Sequence, residues 1–230
     1  MNLRNLLLVN NLNELFLTFK ENEYYIFFDF EATQYLHKPI RLGLCITCFN
    51  NDKFHILDEY DSYIKTDDRI GSYVETLTSI NKKLLDKEGK DFKNVIKEIS
   101  SLFSKYNNKT FISYSKQDKL ILKNGIDFKK LNEKFLYEEI NRKHLDLQIY
   151  FSRLIKRKSG FYSLKDLLKM FNVNEIEKYE FHNPLIDSLA MILLLNKLFL
   201  NKEKILNLND ENYFNCEDKD KILERMINDD

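Results

Sequence analysis

The chain has 230 residues, of which 43% are hydrophobic and 31% are charged, a composition typical of a soluble globular protein rather than a disordered or fibrous one. Its length predicts one substantial domain. Lysine plus arginine and aspartate plus glutamate each number 36, so the net charge is zero. This excludes a strong overall positive field for holding nucleic acid, whereas a local basic groove beside an acidic site is compatible with it.

The cysteines and the amino end indicate the cellular compartment. Cys45 and Cys48 lie three residues apart in one predicted strand, so they face opposite sides and pair poorly. No second cysteine pair or suitably spaced histidine completes a zinc site with them, and Cys216 lies far away in the sequence. We therefore expect free thiols in a reducing cytoplasm. The apolar stretch at residues 6–19 is interrupted by Asn and Glu, which argues against a signal peptide or a membrane span.

The first third of the chain predicts a helix followed by three strands. Apolar residues at helical spacing predict a leading helix within residues 1–22. The run YYIFFDFEAT at 24–33 is typical of a strand buried on both faces. Residues 40–49 and 53–65 predict two further strands, and Asn50-Asn51-Asp52 between them favours a hairpin turn. These three strands should form an antiparallel meander.

The next elements alternate between helix and strand. Residues 92–106 carry apolar side chains at amphipathic spacing and predict a helix. Residues 110–114 predict a short strand, and a helix follows that should end at Asn124-Gly125. A second strand and helix are predicted over 144–158. Strands that first run consecutively and then alternate with helices predict a mixed sheet covered by helices, an α/β fold.

Two more helices are predicted near the carboxyl end. The first covers 163–171 and is capped by Ser163, with Asp166 as the acid of a short capping box. The second covers 184–200 and is apolar on most of its surface, so it should be largely buried. The domain then spans residues 23–200, and residues 201–230 are predicted to form a peripheral tail.

Two acids end the first strand. Side chains alternate along a strand, so Asp29 and Glu31 share one face while Phe28 and Phe30 share the other. Two like charges at the end of a buried strand are unfavourable unless a positive group lies between them, and a divalent cation is the usual solution. The alternative is a strand that runs into solvent through its acidic residues.

A second acidic centre lies at the start of the last helix. Pro184 suits the first turn and Asn183 suits the N-cap, so the helix should begin there. Asp187 then falls near the positive end of the helix macrodipole, and His182 lies in the preceding loop. The turn can aim both side chains at one point. Alternatively, Asp187 is a simple helix-dipole acid and His182 a surface residue.

The acids occur in an order that resembles a known family. A DxE ends a strand, Asp118 opens a helix after a short strand, and HxxxxD crosses a helix start. FFDFEAT, SYSKQDKLIL at 113–122 and HNPLID at 182–187 are similar to the three motifs of the DnaQ-like 3′-to-5′ exonucleases of the DEDD type, in the subgroup with a histidine in the last motif. The resemblance spans about residues 23–200 and implies an RNase H-like fold, a mixed sheet of about five strands with flanking helices.

The resemblance also implies a set of site residues. Asp29, Glu31, Asp118 and Asp187 would hold two Mg²⁺ or Mn²⁺ ions, and His182 would be the general base. The chemistry agrees, because two metal ions about 4 Å apart can serve both the attacking and the leaving oxygen of phosphodiester hydrolysis. An imidazole with a pKa near 6.5 can take the proton of the attacking water at neutral pH. We expect the neighbouring acids to raise the pKa of His182.

The implied activity is 3′-to-5′ exonuclease cleavage that releases nucleoside 5′-monophosphates from single-stranded or 3′-overhanging nucleic acid. DFEAT combined with SKQD is most similar to the exoribonuclease branch, so RNA is favoured over DNA. In relatives, the positions of Phe30, Ala32 and Thr33 approach the terminal nucleotide, although the strand face of Phe30 places its side chain in the core. A proofreading DNA exonuclease docked on a polymerase, a homodimer and a binding module without turnover stay open as alternatives. No membrane partner is expected.

Other positions bear on substrate preference. Arg41 stands where the family frequently has an acid, and Ser113 or Ser115 and Pro184 also depart from the family pattern, but none of these changes removes a metal ligand. The loop at 35–37 could stack on a base through its aromatic residue. The basic run at 153–158 predicts either a phosphate contact or a solvated helix face.

Overall fold

The computed structural model describes residues 12–154, 161–173 and 182–203. In this part of the chain, five strands form one mixed sheet in the order β3-β2-β1-β4-β5. The predicted α/β fold with a mixed sheet of about five strands is therefore confirmed. The strands are β1 (Tyr24–Ala32), β2 (Pro39–Asn50), β3 (Lys53–Tyr63), β4 (Lys109–Ser113) and β5 (His144–Asp146).

The sheet combines the predicted meander with two parallel strands. β1 and β2 pair antiparallel, as do β2 and β3, whereas β1 and β4 pair parallel, as do β4 and β5. The β2–β3 turn places Asn51 and Asp52 at φ 53° and 54°. Positive φ at both central residues characterises the hairpin turn whose twist matches the strands, and Asn and Asp tolerate it. The hairpin predicted from these residues is thus confirmed.

Helices flank the sheet, and most of those predicted are present. The helix at 163–171 begins with the predicted capping box: Asp166 N–H donates to Ser163 Oγ and Ser163 N–H to Asp166 Oδ2, both at 3.1 Å. Three helices, α2, α3 and α6, were not predicted. The described helices are α1 (Leu12–Thr18), α2 (Ser72–Thr78), α3 (Lys82–Glu88), α4 (Phe92–Phe103), α5 (Lys116–Gly125), α6 (Leu131–Arg142), α7 (Leu147–Leu154), α8 (Leu164–Met170) and α9 (Pro184–Leu200).

Some predictions fall outside the described residues. These include the first part of the leading helix, most of the tail and the end of the helix predicted to reach residue 158. The side chains of the basic run at 153–158 also lie outside the described part of the chain. The phosphate contact and the solvated helix face therefore both stay predictions.

β1 separates two apolar cores because its side chains alternate between the faces of the sheet. Tyr25 and Phe27 pack in the core beneath α9, together with residues of α7 and α8. Ile26 and Phe28 pack in the other core, against α4, α5 and α6. Since Asp29 continues the Tyr25 and Phe27 face, the first acid of the site lies on the side of the sheet that α9 covers.

Phe19, the residue after α1, packs on the sheet through aromatic contacts. The Phe19 ring centroid lies 5.2 Å from that of Tyr25, 5.0 Å from Phe54 and 5.8 Å from Phe199. All three contacts have edge-to-face geometry, which is a favourable arrangement of aromatic quadrupoles. The leading helix is thus packed on the domain at the end opposite the acids.

Cys45 and Cys48 are free thiols, and they lie opposite Phe27 and Tyr24 of β1 respectively. The prediction that they do not pair is confirmed. Within residues 12–154, 161–173 and 182–203, the helices are too short or too polar to span a lipid bilayer.

Candidate active site

Three carboxylates from two elements meet where β1 ends. Asp29 and Glu31 come from β1, and Asp187 comes from the first turn of α9. One carboxylate oxygen from each of these residues lies within 4.8 Å of the other two. The two acidic centres of the sequence therefore form one cluster, in which the Glu31 side chain is only 15% exposed.

A glycine allows α9 to start beside this cluster. Gly43 of β2 is the cross-strand partner of Asp29. A Cβ atom on Gly43 would lie 2.0 Å from Leu185 N and 2.2 Å from Pro184 C, so the helix backbone rests directly on the strand. Ser188 Oγ donates a hydrogen bond of 3.1 Å to the Gly43 carbonyl. Neither Gly43 nor Ser188 was predicted as a site residue, because nothing in the sequence shows which strand position the helix approaches.

The fourth acid, Asp118, approaches from α5. Ser115 is the N-cap of this helix, and its hydroxyl accepts from Gln117 N–H at 3.1 Å. Asp118 is 4% exposed, and its Oδ1 accepts from Phe30 N–H at 3.0 Å. This bond attaches the helix to the β1 backbone between Asp29 and Glu31. Asp118 is outside the three-carboxylate group but close enough to Asp29 to raise its pKa.

His182 lies in the loop before α9, as predicted, at φ 69°. Its backbone N–H donates to Asp187 Oδ2 at 3.1 Å, and its Nδ1 lies 3.9 Å from Glu31 Oε1. The side chain is 47% exposed. Asn183 occupies the predicted N-cap position but makes no side-chain cap bond. The acid of the first turn thus holds the loop that carries the histidine.

The carboxyl groups share an environment that disfavours their charged forms. Burial, followed by the charges of Asp118 and Asp187, raises the pKa of Asp29 well above its ordinary value. Burial, followed by Asp187 and Asp118, raises the pKa of Glu31 to about 8, although Arg41 opposes this rise. Burial likewise raises the pKa of Asp187 to about 7 and that of Asp118 to about 6. A nearby cation would reverse these shifts.

The expected upward shift of the His182 pKa was wrong. The pKa is lowered, first by partial burial of the imidazole and then by the charge of Lys165. The acids do not raise it because they are themselves biased towards their neutral forms, and the Glu31 contact of 3.9 Å is too long for a hydrogen bond. The ring is therefore neutral at pH 7.

The cluster fits a divalent cation. Asp187 Oδ1 is buried and has no hydrogen-bond partner in the described part of the chain. Carboxylate oxygens are the hard ligands that Mg²⁺ and Mn²⁺ prefer. Bringing three acids together is electrostatically costly in a free protein, and a bound cation removes that cost.

The residues after the first motif differ in accessibility. Phe30 is 6% exposed and packs in the core, and Thr33 is 1% exposed with its Oγ accepting from Lys38 N–H at 2.9 Å. Ala32 is half-buried. Tyr35 and Leu36, in contrast, are 55% and 59% exposed in the loop that begins two residues beyond the strand. The side chains of Tyr35 and Leu36 are therefore more accessible to solvent than those of Phe30 and Thr33.

Arg41 lies beside the acids, as the cross-strand partner of Glu31. Its Nε and Nη2 donate to Asp61 at 2.9 and 2.6 Å, and its guanidinium stacks on the Tyr63 ring at 4.7 Å. The arginine that departs from the family pattern is thus held by its own ion pair rather than by a site carboxylate.

Solved structures show which fold this is. The nuclease domain of 3′hExo, a DEDDh family member, bound to rAMP, superposes with a TM-score of 0.61 at 16% identity over 78% of this chain and 93% of that one. The chain has the DEDDh exonuclease fold. A 3′-exonuclease described in 3′-end specific recognition of a histone mRNA stem-loop gives a TM-score of 0.60 at 15% identity over 80% of this chain and 84% of that one.

The same DEDDh fold is present in a larger protein. E. coli exonuclease I in complex with a dA16 oligonucleotide gives a TM-score of 0.60 at 14% identity, over 80% of this chain and 42% of that one. No protein-family model and no curated protein matches the sequence. The likeness to these solved structures therefore lies in the fold.

Proposed function

We propose that the protein is a metal-dependent 3′-to-5′ exonuclease that hydrolyses nucleic acid, RNA in preference to DNA, to nucleoside 5′-monophosphates. The convergence of Asp29, Glu31 and Asp187 within 4.8 Å at the end of β1 is the observation that carries this proposal. The sequence motifs that resemble the DEDDh family imply metal ligands at these same three residues.

Each site residue has a role in the proposed reaction. Asp29, Glu31, Asp118 and Asp187 would hold two divalent ions, which when bound would supply an activated water and charge stabilisation for the leaving oxygen. Water attacks the phosphorus that joins the last nucleotide to the preceding one, and the bond from this phosphorus to the 3′ oxygen of the preceding nucleotide breaks. The nucleoside 5′-monophosphate is released, and the 3′ oxygen takes up a proton from solvent. His182 is half-exposed and neutral at pH 7, so it can accept the proton of the attacking water.

RNA is the favoured substrate because DFEAT and SKQD resemble the exoribonuclease branch, and two similar structures concern rAMP and a histone mRNA stem-loop. A DNA exonuclease is the second candidate, because E. coli exonuclease I is similar to the same extent in complexes with dA16 and dT13 oligonucleotides. The exposed loop at Tyr35 and Leu36 would contact bases of either nucleic acid.

The test is digestion of 5′-labelled single-stranded RNA and DNA of matched sequence with Mg²⁺ or Mn²⁺. We expect a ladder that shortens from the 3′ end, faster for RNA, and no cleavage in EDTA. Asp29→Ala and His182→Ala should reduce the rate by at least about 100-fold, as expected for loss of a metal ligand or a general base.

Two controls make the result decisive. Asp86→Ala removes an exposed acid of α3 that lies outside the carboxylate cluster, and it should keep most of the activity. Circular dichroism should show that every variant is folded. An undiminished rate in purified Asp29→Ala would overturn the site, and faster digestion of DNA would favour the second candidate. Intact substrates with every metal would indicate a binding module.

A further inference from the structure

The outer strand β5 is connected to the site by a chain of polar contacts. β4 ends at Ser113, and α5 begins three residues later, so Ser113, Tyr114 and Ser115 form the whole turn that sets the start of α5. β5 lies on the far side of β4 from β1. Its first residue, His144, places Nε2 2.8 Å from Ser113 Oγ.

The direction of these hydrogen bonds can be assigned. Ser113 is fully buried, and its hydroxyl donates to the Ser115 carbonyl at 2.6 Å. A hydroxyl has one proton, which this bond uses, so His144 Nε2 carries a hydrogen and is the donor to Ser113 Oγ. Burial lowers the pKa of His144 to about 3, so the ring is neutral at ordinary pH. The ring also lies against Phe28, with 5.9 Å between centroids.

The turn before α5 connects the His144–Ser113 hydrogen bond to Asp118. The Ser115 hydroxyl caps α5 by accepting from Gln117 N–H at 3.1 Å. Asp118 lies in the next position, and its Oδ1 accepts from Phe30 N–H at 3.0 Å. The contacts therefore run from β5 through β4 and the start of α5 to β1, and they end between the two acids of the first motif.

We propose that His144 and Ser113 form a positioning pair that fixes the turn before α5 and thereby holds Asp118 against β1 in the geometry that metal binding needs. This inference rests on the proposed function, since it assigns a support to one of its four acids. Hydrogen-bonding partners behind metal ligands typically affect metal affinity or activity by about 10- to 100-fold.

The test compares two substitutions of similar size. His144→Gln keeps an N–H donor near the position of Nε2, whereas His144→Met fills the space without a donor. Hydrogen exchange of the Phe30 amide reports on its bond to Asp118 in the metal-free protein, and titration with Mn²⁺ alone reports on the site. Neither measurement requires turnover.

In His144→Met, we expect the Phe30 amide to exchange about 10-fold faster and Mn²⁺ to bind about 10-fold more weakly. This is the lower end of the range typical for residues that support metal ligands. His144→Gln should restore both values to within about 3-fold of wild type. Ser113→Ala should have at least as large an effect as His144→Met, because it removes both the bond from His144 and the bond to the Ser115 carbonyl.

The positioning role would be overturned if His144→Gln and His144→Met exchanged the Phe30 amide at equal rates and bound Mn²⁺ equally well, while both were less heat-stable by the same amount. His144 would then contribute only packing. Failure of the proposed function has a different pattern, in which wild type binds Mn²⁺ but cuts neither RNA nor DNA. In that case the comparison of variants still decides the role of His144. A wild-type protein that binds no Mn²⁺ overturns both proposals.

Discussion

At the scale of single residues, the site is a group of carboxyls that disfavour one another's charge. The pKa of Glu31 is raised from 4.5 to about 8, mainly because the side chain is buried and then because Asp187 and Asp118 are near. Between these two values the folded state binds more protons than the unfolded state, so the stability of the metal-free protein falls as the pH rises. The same sign applies to Asp29 and Asp187, whose pKa values are also raised.

Glu31→Gln should therefore stabilise the metal-free protein at alkaline pH. In EDTA at pH 8.5 we expect a gain on the order of 1 kcal/mol, equivalent to a rise in Tm of roughly 2–4 °C. Near pH 4 the gain should vanish, because Glu31 is then protonated in wild type. Thermal denaturation at the two pH values measures this, with Glu75→Gln on the exposed face of α2 as control. A gain that is independent of pH would contradict the electrostatic explanation.

Gly43 determines the distance between α9 and the first motif. Gly43→Ala should push the start of α9 away from β2, because the new methyl overlaps the backbone of Pro184 and Leu185. We expect a loss of roughly 1–3 kcal/mol of stability and at least about 10-fold weaker Mn²⁺ binding, comparable to losing a supporting partner. Calorimetric titration of the folded variant measures the second effect.

Gly125→Ala is the matched control for Gly43→Ala. A Cβ on Gly125 would also overlap its neighbours, at 2.6 Å from Phe92 Cζ, but this position lies at the end of α5 away from Asp118. It should lose stability and keep its Mn²⁺ affinity. Equal Mn²⁺ affinities in the two variants would show that the start of α9 does not depend on Gly43.

At the scale of elements, the leading helix contributes packing rather than chemistry. Phe19 is 5% exposed and contacts four aromatic rings, whereas Leu17 in the same segment is 73% exposed. Phe19→Ala should cost about 3–5 kcal/mol. Leu17→Ala should change stability by less than about 0.5 kcal/mol.

Urea denaturation measures both changes in stability. Nuclease assays at low temperature test whether the packing of Phe19 affects the site. Phe19→Ala should keep its rate per folded molecule, because the ring packs at the end of β1 remote from Asp29. A rate that falls while the protein stays folded would show that the helix also shapes the site.

At the scale of the whole molecule, metal binding and folding are linked. The acids come from β1, α5 and α9, so the cluster exists only in the folded chain. A ligand that binds only the folded state at 100 times its Kd adds about 2.7 kcal/mol of stability. Saturating Mn²⁺ at pH 7.5 should thus raise the Tm by roughly 5–11 °C.

Differential scanning calorimetry with and without Mn²⁺ measures this rise. Asp29→Ala should abolish this rise, and the Asp86→Ala variant should retain it. A rise of the same size in Asp29→Ala would place the bound ion somewhere other than the carboxylate cluster.

The sequence alone determined those features whose causes are local. The alternation of side chains in β1 assigns Asp29 and Glu31 to one face, the turn residues Asn51 and Asp52 set the hairpin, and Pro184 starts α9. Each of these follows from backbone geometry over a few residues. The order of the acidic motifs was sufficient to indicate the fold family.

Only the tertiary structure decided how these parts meet. The approach of α9 to Gly43 and the bond from Phe30 N–H to Asp118 join positions that are about 90 to 140 residues apart in the chain. The pKa of His182 is lowered rather than raised, because burial and charge depend on all the groups that surround a site and not on the motif that contains it. Helix α6 was missed for a related reason, since its apolar residues Leu136 and Ile140 become distinctive only when they pack on α4 and α5.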